Sequence, residues 1–191
     1  LNEYLKTPRP VLIIALLDVL TQKSENKCSE EFENIISSFL SSNSYKTDFK
    51  NFIDKALKDS RGIACSSPVG FLDEKIMKFI ETKKINFHGS RIIILESSFI
   101  GNRINALDNR LTEEDWHKIL DYFKVSDVLW NSKSNRLIYL SKYYTNRFLK
   151  MSVTIMDNPT IDEISVFNVS PSNCIDDPYA YKQVLEMESI R

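Results

Sequence analysis

Between Leu111 and Val169 the spacing of apolar positions changes from helical to extended. Trp116, Ile119, Leu120 and Phe123 recur at i, i+3, i+4 and i+7, which gives a helix one apolar side. Thr112 is placed to cap that helix, Asp115 closes a capping box three residues on, and Leu111 and Trp116 occupy the staple positions. Four strand-like runs follow: Asp127–Asn131, Arg136–Tyr144, Arg147–Met156 and Ile161–Val169. Short polar connectors, among them Asn131-Ser132-Lys133-Ser134-Asn135 and Thr145-Asn146, suit hairpins. The expectation is an antiparallel meander packed on the helix, an α+β arrangement.

Alternation within the strands assigns their two faces. If the helix covers one face, Ile138, Leu140, Ile164 and Val166 are the expected core. The opposite parity presents Tyr139, Ser141, Tyr143, Lys150, Ser152, Thr154, Glu163 and Ser165 together, a polar, aromatic and partly basic surface. The plainer reading of such a set is the solvated side of a half-buried sheet. The third strand constrains the scheme, because its apolar parity is Leu149, Met151, Val153 and Ile155, which must face the core.

Residues 1–81 look helical throughout. Pro10 sits at a first helical position ahead of Val11 to Leu20. Ser29 caps a second helix with Phe32, Ile35, Ile36, Phe39 and Leu40 on one face. A third carries Phe49, Phe52, Ile53, Ala56 and Leu57, and a fourth carries Leu72, Ile76, Phe79 and Ile80. Gly62 through Gly70, with Ser66-Ser67-Pro68, is the expected loop between them. Ile92-Ile93-Ile94-Leu95 reads as a strand, Glu96 to Arg110 as irregular, and Asp177-Pro178 starts a short helix through Met187. The organisation expected is a helical module over 1–81 and an α+β domain over 82–191.

Composition narrows the class. With 42% hydrophobic residues, eleven Phe and a net charge of −1, the chain has ample core and no global pull on nucleic acid or anionic membrane. Four glycines argue against Gly-rich phosphate loops. Locally, Lys133, Arg136, Lys142, Arg147 and Lys150 make the meander basic. Cys28, Cys65 and Cys174 form neither a CxxC pair nor a zinc spacing with His88 or His117, so free thiols in a reducing, cytoplasmic compartment are expected. The run Val11–Leu20 is too short to span a bilayer, and Pro8, Pro10 and Asp18 fit a signal peptide badly. The chain starts at Leu, which suits an excised domain or processed product.

The order Ile92-Ile93-Ile94-Leu95, Leu111-Thr112-Glu113-Glu114-Asp115-Trp116, Asp127-Val128-Leu129-Trp130, Leu137-Ile138-Tyr139, Met151-Ser152-Val153 and Ile164-Ser165-Val166-Phe167 resembles the phage-associated branch of the barnase–EndoU–colicin–RelE-like nucleases. The resemblance covers about residues 90–170 and leaves residues 1–81 unmatched. It implies a helix on a small antiparallel sheet, a metal-independent ribonuclease without cofactors, RNA as substrate, and an inhibitor or immunity protein as partner. The chain departs from the group's usual layout in having no His between Ile94 and Thr112; Arg103 occupies that stretch, so the general acid stays open.

Metal-free RNA cleavage uses the 2′-hydroxyl as internal nucleophile and needs a base, an acid and a cation for the phosphorane. Glu163 is the candidate base, His88 the acid, and Lys150 or Arg103 the phosphate clamp. Tyr139 or Tyr143 would stack a splayed base, and Ser152 and Ser165 would hydrogen-bond phosphate. Each has a structural rival: Glu163 with Lys150 as a cross-strand ion pair, the tyrosines as cross-strand packing. Two other classes compete. Phe87-His88-Gly89-Ser90-Arg91 is similar to the first motif of ADP-ribosyltransferases, with Tyr144 and Glu163 as the later members. A non-enzymatic module binding a protein partner accounts for the near-neutral charge and the missing His.

Overall fold

The connector at residues 131–135 shows how local chemistry sets the sheet. The Asn131 carboxamide oxygen accepts from the backbone N–H of Lys133 and Ser134, and Asn135 closes the turn at φ 56°. Asn tolerates that left-handed conformation better than most residues. The hairpin so formed joins two strands of a larger sheet. The computed structural model describes residues 29–58, 65–87, 89–104, 111–144, 147–155, 159–168 and 187–190, with backbone alone for 29–32, 102–104, 144 and 167–168.

In chain order the elements are α1 (Ser29–Ser41), α2 (Asn43–Lys58), β1 (Ser66–Phe71), α3 (Glu74–Thr82), β2 (Ile92–Glu96), α4 (Ser97–Ile104), α5 (Glu113–His117), α6 (Ile119–Lys124), β3 (Asp127–Asn131), β4 (Arg136–Tyr144), β5 (Arg147–Thr154), β6 (Thr160–Asn168) and β7 (Glu188–Ser189). Among the described residues seven strands form one sheet in the order β1-β2-β6-β5-β4-β3-β7, antiparallel except where β2 meets β6. The expected meander is therefore present, and it is extended by β1 and β2 at one side and by β7 at the other.

Three expectations are corrected. The Gly62–Gly70 stretch is not wholly a loop: Ser66–Phe71 is an edge strand paired with β2. An edge tolerates Pro68, and Gly70 lies where an added Cβ would stand 2.8 Å from the Phe123 ring, so a side chain has no room there. Residues 97–104 form a helix instead of irregular chain, because Ile100 is fully buried and Phe99 packs edge-on to Trp116; packing overrides the poor propensity of Gly101 and Asn102. The helix after Thr112 is broken at Lys118 into α5 and α6. Its four apolar positions are all buried, and the capping box between Thr112 and Asp115 is present. The helices expected at Pro10 and at Asp177 lie outside the described residues.

One core cluster runs from Tyr45, Phe49, Phe52 and Ile53 on α2, through Ile76 and Ile80 on α3, to Leu137, Tyr139, Leu149, Met151, Val153 and Ile164 on the sheet. It crosses residue 82 without a break. Ser42 caps α2 through its hydroxyl, which accepts from the Tyr45 N–H. The Tyr45 hydroxyl, buried, donates to the Pro68 carbonyl and pairs with Ser67, tying α2 to β1. On the other face, at the β1–β2 end, Ile36 of α1 packs with Ile92, flanked by Phe71 and Ile94.

Candidate functional site

Pairing register decides which side chains share a face. Ile138 stands opposite Ser152, Leu140 opposite Lys150, Lys150 opposite Ser165, and Ser152 opposite Glu163. These residues therefore lie on one face of the sheet, away from the main core. Tyr139 stands opposite Met151, and Ser141 opposite Leu149, on the helix-covered face. The parity assumed for β5 and β6 is the one observed, with Leu149, Met151, Val153 and Ile164 in the core.

For β4 the parity is the reverse of the expectation. Tyr139 is buried against Phe123, with ring centroids 4.2 Å apart. Tyr143 donates from its hydroxyl to Asp115 at 2.5 Å and packs on Tyr122. Neither ring shares the face of Lys150 and Glu163, so neither is placed to stack a base there. Ile138 and Leu140, expected in the core under the helix, lie on the charged face instead. The physical reason is the aromatic area: burying the Tyr139 ring against Phe123 outweighs the pull of one hydroxyl towards water.

On the charged face, Lys150 Nζ lies 3.0 Å from Glu163 Oε1, and the Ser152 hydroxyl donates to Glu163 Oε2 at 3.3 Å. Arg136, opposite Thr154 at the start of β4, reaches both acids: Nη2 is 2.8 Å from Asp162 Oδ2, and Nη1 is 3.9 Å from Glu163 Oε2. Thr154 donates to Asp162 Oδ2 at 2.5 Å. Asp162 is the extra residue of a β-bulge, since Ser152 pairs with Glu163 while Val153 pairs with Ile161. The bulge places two successive acids beside one guanidinium. The other carboxylate oxygen of Asp162, Oδ1, is buried and has no hydrogen-bond partner among the described residues.

Lys150 and Ser152 are buried, and Arg136, Asp162 and Glu163 are partly exposed. The Lys150 side chain is 9% exposed, Glu163 32% and Arg136 37%. Burial pushes the Glu163 carboxyl up, but the Lys150 ammonium, the Ser152 hydroxyl and the Arg136 guanidinium more than offset it, so its pKa lies below the ordinary value. Glu163 is thus held ionised, with two cations beside it that an incoming anion can share.

Of the residues singled out from the sequence, Glu163, Lys150 and Ser152 are brought into contact, and Ser165 shares their face by register. Arg103 lies on α4 with its side chain outside the described residues, as is the Tyr144 side chain, and His88 is outside them altogether. Asp162 was not singled out, and Arg136 only as one of the basic residues of the meander. The hairpin register could have found Arg136, since it opens the strand opposite Thr154; the bulge that admits Asp162 leaves no mark in the residue pattern. Compared with protein-family models, curated proteins and solved structures, the chain matches none.

Proposed function

We propose that this chain is a metal-independent, ribonuclease-like domain of the barnase/RelE type, acting on RNA with the charged face of its sheet. The observation that carries the reading is the meeting of Glu163, Lys150, Ser152 and Arg136 on one face of a hydrogen-bonded sheet. In this reading an RNA phosphate takes Lys150 and Arg136 as partners in place of the carboxylates. Losing those cations removes part of what lowers the Glu163 pKa, so burial, which raises it, gains weight. The carboxylate then becomes a better base for the 2′-hydroxyl proton. Lys150 and Arg136 stabilise the phosphorane charge, and Ser152 and Ser165 hydrogen-bond its oxygens. Phe148, next along β5 on the same parity as Lys150, takes the stacking role that Tyr139 and Tyr143 leave vacant. His88 is the candidate acid that protonates the leaving 5′-oxygen, and Arg103 a further candidate clamp on the phosphate.

A specific observation favours a second reading. The two acids and two cations of the cluster are already paired with one another, as in a structural network in a protein-binding module. One experiment separates the two. Purified chain is incubated with single-stranded and structured RNA in EDTA. The nuclease reading expects cleavage to products ending in a 2′,3′-cyclic phosphate, reduced about 10²–10⁴-fold in a folded Glu163→Gln variant. Intact RNA with the wild-type chain, or cleavage unaltered by the substitution, overturns it and leaves the binding module.

A further inference from the structure

We propose that Asp54, Glu113 and His117 form a binding site for a divalent transition-metal ion of the zinc class. Glu113 and His117 stand four residues apart on α5, so they project from one side of that helix. Asp54 projects towards them from α2. His117 Nε2 lies 2.5 Å from Asp54 Oδ1, and the donor atoms of all three residues lie within 4.8 Å of one another. Zinc holds such ligands at about 2.0–2.2 Å, which sets neighbouring donors about 3–3.6 Å apart. Side-chain rotations that open the shortest separation and close the widest by about an ångström therefore complete a three-ligand set.

The donor chemistry selects the ion. An imidazole nitrogen disfavours magnesium and calcium, which take oxygen cages, and two carboxylates disfavour thiophilic ions. With a neutral imidazole, the two carboxylates balance the charge of a dication. The backbone that presents the ligands is held in place. Thr112 and Asp115 form the capping box of α5, Tyr143 anchors Asp115 from the sheet, and Trp116 is buried between Glu113 and His117 in sequence. Glu113 is exposed and the His117 and Asp54 side chains are 18% and 30% exposed, so an ion has a path in from solvent. The site lies in the helical layer, on the side of the sheet opposite Lys150 and Glu163, so the ion clamps α2 to α5 and takes no part in the chemistry proposed for the other face.

The test uses the full chain after chelator treatment, titrated with zinc chloride and followed by calorimetry and thermal unfolding. One equivalent is expected to bind, with a Tm that rises with zinc concentration, while magnesium at the same concentration leaves Tm unchanged. Glu113→Gln and Asp54→Asn are expected to weaken binding by at least about 10-fold. Glu113 is exposed, so its variant keeps the wild-type circular dichroism without metal. Cobalt in place of zinc should give visible d–d bands without thiolate charge transfer, which separates this site from the cysteines. Absence of zinc binding by the folded chain, an affinity unchanged in Glu113→Gln, or a thiolate charge-transfer band would each overturn the proposal.

Discussion

Lys150 keeps its ammonium nearly out of water, and Glu163 is its nearest counter-charge, 3.0 Å away. Replacing Glu163 with Gln leaves that cation without its charged partner, which should cost about 1–3 kcal/mol of stability. A domain of this size loses roughly 2–4 °C of Tm per kcal/mol, so the variant remains folded for the RNA assay. The same pair has a pH signature. The Glu163 carboxyl is held below its ordinary value of 4.5 in the folded chain, with burial opposing Lys150, Ser152 and Arg136. A depressed folded pKa gives stability that is fully present above the unfolded value, about 4.3, and is lost as pH falls through the folded one. The Tm advantage of wild type over Glu163→Gln should therefore be constant from neutral pH to about 5 and shrink below about 4. Thermal unfolding of both proteins across that range checks this; an advantage that persists undiminished to pH 3 would show that the carboxylate charge is not what Lys150 uses.

At the scale of elements, β1 shows why breaker residues mislead. Pro68 and Gly70 within one short run read as a loop, yet the run is an edge strand, where a missing N–H and a missing side chain are both accommodated. Phe123, packed on Tyr139, fills the space that a Gly70 side chain would need. Gly70→Ala should destabilise the fold by about 1–3 kcal/mol through overpacking, measured by chemical denaturation. A neutral result would mean that the Phe123 ring can move aside. The four strands of the meander were legible because hairpin turns are local: Asn131 and Asn135 carry that information in their own side chains. The face of β4 was not, since its polar hydroxyls on Tyr139, Ser141 and Tyr143 imitate an outward row. Only the position of Phe123 and Asp115, fixed by tertiary packing, turns that row inward. The site was half legible for the same reason. Period-two alternation brought Lys150, Ser152 and Glu163 together, but Arg136 needed the hairpin register and Asp162 needed the bulge.

At the scale of the molecule, the sheet takes β1 from before residue 82 and its other strands from after it. Among the described residues, nine of the 26 in the main core cluster, from Tyr45 to Ile80, come from the chain before that point. They cover the helix-facing side of the strands that carry Lys150 and Glu163 on their other side. Removing them leaves that apolar side of the sheet open to water, while a whole domain has only about 5–15 kcal/mol of net stability to lose. A fragment of residues 82–191 should therefore lack a cooperative thermal transition and show a collapsed near-ultraviolet dichroism from Trp116 and Trp130, both buried in the intact chain. It should also lose the edge partner of β2, since β1 is absent, and expose Ile93 and Leu95. Sharp, reversible unfolding of that fragment would show instead that the meander and its helices are self-sufficient, and that α2, β1 and α3 are only a cover laid over a finished domain.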